Sequence, residues 1–294
     1  MTRSESALYL FVLFAFLGSN TVVAQPAGHA TDDWVELDPE YVLYVYVPDG
    51  RIDIVLSKDF AQAHVERVKS LAREGYYEGI PFLRVIPGYI SQATDPFEFD
   101  LAGYTRRPFR SESVTIQGQF DRELTAELEF VALREPDEFQ EQEGYVHGFP
   151  VMRNLDDGKI WMTGCPGAVG MPRDIDPNSG TTGFWIAHQS MRQHDRNHTV
   201  FGRVVAGMQH ALLMPPASAE DASTWTVIDS VRVAADLPVD HRTNYRMRNT
   251  NADSFAAHVD SLRNPDTEWY QTLPRRLDVC YSWIVPVEET GRGD

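Results

Sequence analysis

The chain has 294 residues, 43% hydrophobic and 11% aromatic, with 26 basic and 43 acidic side chains giving a net charge of −17. A chain this apolar, without low-complexity tracts, buries enough surface to offset its conformational entropy, which excludes a disordered or fibrous protein. Its acid excess and lack of a basic run leave phosphates nothing to bind, which excludes nucleic acid and anionic lipid surfaces as partners.

Residues 1–24 begin with a short polar segment containing Arg3, continue as an apolar stretch from Ala7 to Leu17, and reach Val22, Val23 and Ala24 before Gln25. This is the layout of a secretory signal peptide, and the apolar run is too short for a permanent span of about 20 residues. A secreted or periplasmic location without stable membrane insertion is therefore expected. In such an oxidising compartment the pair Cys165 and Cys280 reads as a disulfide. A reactive thiol is the alternative, but neither cysteine has a helix start or clustered cations to lower its pKa.

Residues 25–40 are polar and aperiodic, a linker into the fold. The runs from Tyr41 to Val47 and from Arg51 to Ser57, around Pro48, Asp49 and Gly50, predict a hairpin. From Asp59 to Glu74 the spacing becomes helical, with Ser57 as a candidate cap and Gly75 as the stop. PFLRVI and YISQA predict two strands joined at Pro87 and Gly88. Residues 96–158 are acidic and irregular, which suggests a long surface insertion. Strand patterns resume at KIWMT, AVGM, FWIA, TVFGRVV and TVIDSVRVA, with a short helix at MQHALLM. The tail, 237–294, holds a candidate helix at SFAAHVDSLRN and a strand-like SWIVPV. Many short strands with Gly and Pro punctuation and few helices predict a mainly β fold, an antiparallel barrel or sandwich.

Three runs, GYYEGIPFLRVIPGYISQATDP, GMPRDIDPNSGTTGFWI and NHTVFGRVVAGM, resemble the central motifs of the cyclophilin-type peptidyl-prolyl isomerases, in that family's order. The resemblance covers about residues 41–236 and leaves out the insertion and the tail. It implies a closed eight-stranded antiparallel barrel capped by two helices; the tail is expected to pack on it as an appendage tied back by Cys280. It also implies a monomeric, cofactor-free and metal-free isomerase that acts on the X-Pro bonds of flexible or unfolded Pro-containing polypeptides and assists the folding of exported proteins.

By this resemblance Arg84 is the catalytic donor, with Gln92 orienting it or the substrate. Tyr89, Ile90 and Trp185 form the proline pocket, Pro172, Arg173 and His194 surround the substrate backbone, and His198 stands at the rim. Alternation independently places Arg84 with Ile86, and Ile90 with Gln92, on single faces of their strands. The sequence departs from the family pattern at several points. Gly183 stands where a glutamine is usual, Trp185 where a phenylalanine is, and His194 where a leucine is. Gln193 replaces an aromatic that often contacts cyclosporin, and Ala93 and Thr94 replace a pair of glycines. Poor cyclosporin binding follows. These departures keep a second reading open: a catalytically weak module that binds Pro-containing segments as a chaperone or scaffold. His188, His194 and His198 with Asp195 form the one cluster suggestive of metal, but the run into TVFGRVV is strand-like and does not favour a helical zinc pair.

Overall fold

The computed structural model describes residues 32–111, 113–273, 275–282 and 284–292. The expected signal peptide and the first residues of the linker lie outside them. In chain order the elements open with β1 (Trp34–Glu36), β2 (Val42–Val47) and β3 (Gly50–Leu56), followed by α1 (Gln62–Arg73), β4 (Pro81–Ile86) and β5 (Ile90–Ala93). The hairpin turn is Pro48-Asp49. It needs glycine at position 50, where φ is +150° and a Cβ would sit 2.3 Å from the His210 ring. Helix α1 starts three residues later than its periodicity suggests. Ser57 Oγ accepts from the Asp59 and Phe60 amides, at 3.2 and 3.1 Å, and so caps the turn before the helix, not the helix itself.

The insertion is a sheet. β6 (Arg122–Glu123), β7 (Val131–Ala132), β8 (Glu141–Val146), β9 (Phe149–Asn154) and β10 (Lys159–Met162) pair in the order β6-β10-β9-β8-β7. The expectation of an irregular insertion ending at residue 158 is corrected on both points, because KIWM belongs to this second sheet and not to the barrel. Its strands were hidden by their polarity. Glu143 is buried in β8 because Arg134 and Arg192 neutralise it, at 3.2 and 3.3 Å. The apolar face of the sheet, Val146, Phe149, Val151, Ile160 and Met162, packs on the outer face of the main sheet at Val55, Ala168 and Val200. Full burial of such side chains is worth about 1.5–3 kcal/mol each.

The chain then returns as β11 (Ala168–Gly170), β12 (Phe184–Ala187), β13 (Val200–Ala206), α2 (Met208–Leu212), β14 (Thr226–Val227) and β15 (Ser230–Val233). The main sheet is antiparallel throughout, in the order β14-β4-β5-β12-β11-β13-β3-β2-β15. Its two end strands are consecutive in the chain. Ile228 exchanges backbone bonds with Gly79 and Ile80 beside β4, while the Asp229 amide donates to Tyr46 O in β2, each at 2.9 Å. One bent segment therefore serves both edges of a curled sheet. The run TVIDSVRVA, expected as one strand, is divided at this bend. Inside the curl lie Val45, Ile52, Ile54, Phe82, Phe184, Ile186, Phe201 and Val231, closed off by Val65, Val68 and Leu71 of α1.

The tail supplies β16 (Thr243–Arg248), α3 (Asp253–Arg263) and β17 (Val287–Arg292). Among the described residues there are thus three α-helices, the third being the one expected in the tail. The three-stranded sheet β1-β16-β17 recruits Trp34–Glu36 from the expected linker. The strand expected at SWIVPV begins only at Val287, because Ile284 and Val285 turn inward to pack with Phe255, Val259, Leu277 and Tyr145. Cys280 joins Cys165 in a disulfide, with Cα atoms 4.9 Å apart. The bond ties the tail to the loop between β10 and β11.

Candidate active site

Strands β4, β5 and β12 lie side by side and carry the central residues. Register pairs Arg84 with Gln92 and Ile86 with Ile90, and across the next interface Gln92 with Trp185. The β4 register shifts between Phe82 and Arg84, so Leu83 is an extra residue on that strand. This bulge lets Phe82 and Val85 both face the interior while Arg84 points out beside Gln92. The Arg84 guanidinium donates to Gln92 Oε1 at 3.4 Å. Among the described residues it forms no ion pair. A half-buried guanidinium held by a neutral amide keeps its full positive field for whatever approaches it.

The second group runs along the 185–198 side. Tyr89 Oη and His194 Nε2 are 2.9 Å apart. The rings of His194 and His198 meet edge-on with centroids at 5.1 Å, and those of His198 and Trp185 at 6.1 Å. Burial, reinforced by His194 and Arg173, pushes the His198 pKa down to about 4, so this imidazole is neutral at neutral pH. Trp185 is only 3% exposed, and its ring occupies the place that a Cβ on Gly170 would take. Ile90 is also buried, so of the residues expected to form a proline pocket Trp185 and Ile90 are covered. Tyr89, Pro172, His194 and His198 are partly exposed.

Arg173, expected around the substrate backbone, lies half-buried beside the site. Its donors go to Asn197 O at 2.8 Å and Asp174 O at 2.7 Å, and its guanidinium lies 5.6 Å from the centroid of Phe120. It braces the loop beside the site. The suggested metal cluster does not converge. His188 Nε2 pairs with Ser91 Oγ at 2.9 Å, and Asp195 accepts from Gly164 N, Thr163 Oγ1 and Arg192 Nε, each at 2.9 Å. Among the described residues no three His, Cys, Asp or Glu side chains gather as metal ligands would.

This outer surface, with one uncompensated guanidinium beside a rim of rings, belongs to the part of the chain that matches a known family. Residues 42–232 match the family described as cyclophilin type peptidyl-prolyl cis-trans isomerase/CLD. The chain belongs to this family. A probable peptidyl-prolyl cis-trans isomerase of Brucella suis biovar 1 is 31% identical over 171 residues, covering 58% of this chain and 69% of that protein. The Bacillus subtilis peptidyl-prolyl cis-trans isomerase B is 27% identical over 169 residues, covering 57% and 86%. In fold, the chain is similar to the cyclophilin AquaCyp293 from Hirschia baltica, with a TM-score of 0.68 at 24% identity over 82% of this chain and 92% of that one. That structure shares a larger part of the chain than the family match does, so the cyclophilin barrel is not the whole of the likeness.

Sequence reasoning missed one contact at this cyclophilin site. Gln92 Nε2 donates to Thr94 Oγ1 at 3.2 Å, and the same oxygen lies 2.6 Å from where a Cβ on Gly183 would be. The only available signal was that both positions depart from the family pattern.

Proposed function

We propose that the protein catalyses cis–trans isomerisation of X-Pro bonds in exported polypeptides and so assists their folding. The chemistry needs no nucleophile, metal or cofactor. Rotation about a peptide bond meets a barrier of about 18–20 kcal/mol because nitrogen lone-pair density is shared with the carbonyl. X-Pro isomers are close in energy but interconvert over tens of seconds or more. A catalyst grips the proline ring and supplies a fixed cation that draws density onto nitrogen as the amide twists. Arg84 is suited to that role because a guanidinium presents rigid donors on a fixed cation and, among the described residues, this one forms no ion pair. This observation carries the reading. The rim of Tyr89, His194 and Pro172 takes the proline ring, while Trp185 and Ile90 form its floor.

Export is supported by the signal-peptide layout of residues 1–24 and by the Cys165–Cys280 bond, which suits an oxidising compartment. Among the described residues no helix is long and apolar enough to cross a membrane.

The binding-module reading draws on Gly183, which offers no side chain to the substrate backbone. A protease-free assay of cis-to-trans relaxation in a short X-Pro peptide decides between the two. Relaxation accelerated by the wild type and not by Arg84→Ala supports the enzyme. Peptide binding without acceleration supports the module.

A further inference from the structure

We propose that Thr94 is a positioning residue for catalysis, holding the Gln92 amide so that its oxygen faces Arg84. The inference rests on the reading of Arg84 as the polarising cation. Gln92 is a flat amide with two ends of nearly equal shape, and only one orientation is useful. With Oε1 toward Arg84 it accepts from the guanidinium. Turned over, it would push an NH2 donor against a cation. The useful orientation sends Nε2 the other way, into the protein, where a buried donor without an acceptor carries the full cost of desolvation.

Thr94 supplies that acceptor. Its hydroxyl oxygen lies 3.2 Å from Gln92 Nε2, and the residue is 2% exposed, so water cannot substitute. Position 183 cannot supply it either. A Cβ there would lie 2.6 Å from Thr94 Oγ1, 2.8 Å from Ala93 O and 3.1 Å from Pro172 Cγ. The hydroxyl at 94 fills the space that a side chain at 183 would use, and these two departures from the family pattern form one arrangement. The chain Thr94–Gln92–Arg84 then runs from a buried hydroxyl just past β5 to the half-buried cation on β4. Its last link, at 3.4 Å, is long enough for Arg84 to exchange it for a substrate amide.

Two measurements on full-length protein test this. In spectra of 15N-labelled protein, the Gln92 side-chain amide protons should exchange slowly in the wild type and in Thr94→Ser, and fast in Thr94→Val, which keeps the shape but removes the acceptor. In the relaxation assay, Thr94→Val should lower kcat by about tenfold with KM changed less than about twofold, and Thr94→Ser should restore it. A purely structural role would move neither the amide exchange nor kcat selectively. Equal kcat in the wild type and Thr94→Val, with an active wild type, overturns the inference alone. An inactive wild type overturns the reading of the site and the positioning role with it. Fast exchange already present in the wild type overturns the inference whatever the rates.

Discussion

The Tyr245 hydroxyl donates to Asp53 Oδ2 at 2.5 Å, joining the tail strand β16 to the inner barrel strand β3. Asp53 is 1% exposed, and Arg51 holds its two oxygens at 2.6 and 2.7 Å while also reaching Thr243 Oγ1 at 2.8 Å. Burial raises the Asp53 pKa, against the pull of Arg51 and Tyr245. A buried carboxylate is tolerated only when paired and bonded. The tail therefore completes a charge site in the barrel.

Tyr245→Phe removes one bond to that carboxylate and leaves the ring in place. The expected cost is about 1.5–3 kcal/mol of unfolding free energy, the range for hydrogen bonds to charged groups. Urea unfolding measures it, and kcat/KM should stay within about twofold of wild type because Arg84 and Gln92 lie on other strands. A loss of catalysis matching the loss of stability would mean that the tail shapes the site directly.

Arg84→Ala should lower kcat/KM by about 100-fold or more, the scale on which removing a preorganised electrostatic group acts. Arg84→Lys should recover only part of it, since an ammonium retains the charge but not the planar fork. The relaxation assay reads both variants. Lysine as good as arginine would show that the charge alone matters and that the geometry with Gln92 does not.

What the sequence made legible followed from short-range pattern. Alternation in PFLRVI and YISQA around Pro87 and Gly88 set the register that brings Arg84 opposite Gln92. Longer-range arrangements were not legible. Glu141, Gln142 and Glu143 read as surface residues, yet Gln142 and Glu143 are buried because Arg153, Arg134 and Arg192 reach them from elsewhere in the chain. Thr94 and Gly183 meet only because β5 and β12 are neighbours, and a hydroxyl beside a glycine carries no periodic signal. The covering of Trp185 likewise depends on Gly170, which faces it across an interface between strands.

Trp185→Phe tests the covered floor. The smaller ring no longer covers Gly170 and deepens the rim between Tyr89 and His194. We expect a lower KM for X-Pro peptides at unchanged kcat, with a stability cost of about 1–3 kcal/mol for the cavity. An unchanged KM would show that the substrate proline does not reach this ring.

Cleaving the Cys165–Cys280 bond opens a loop of 115 residues. Chain entropy puts the stabilisation at roughly 4–5 kcal/mol as a model-dependent upper value. Cys280→Ser should lower the Tm, and nonreducing mass analysis of protein from its native compartment should show the two cysteines joined. Two alkylatable thiols there would contradict both the expected compartment and the structural role.

Acid should weaken the fold through buried histidines. His64 is 1% exposed on α1 with its Nδ1 3.1 Å from Gln119 Oε1, and burial takes its pKa from 6.5 down to about 4. The folded-state pKa is depressed, so the unfolded chain binds the proton first. Stability is full above about pH 6.5 and falls as pH drops toward 4, by about 3 kcal/mol at most for this residue. His198 acts in the same direction and over the same window. His147 opposes them. Its bond to Asp59 raises its pKa, so its contribution is present at low pH and is lost as pH rises through the folded value. Urea unfolding at pH 7 and pH 4.5 should show a net loss on acidification. His64→Asn, which keeps a donor for Gln119 but does not titrate, should flatten that slope. An equal slope in the variant would place the acid sensitivity outside the contact between α1 and the insertion.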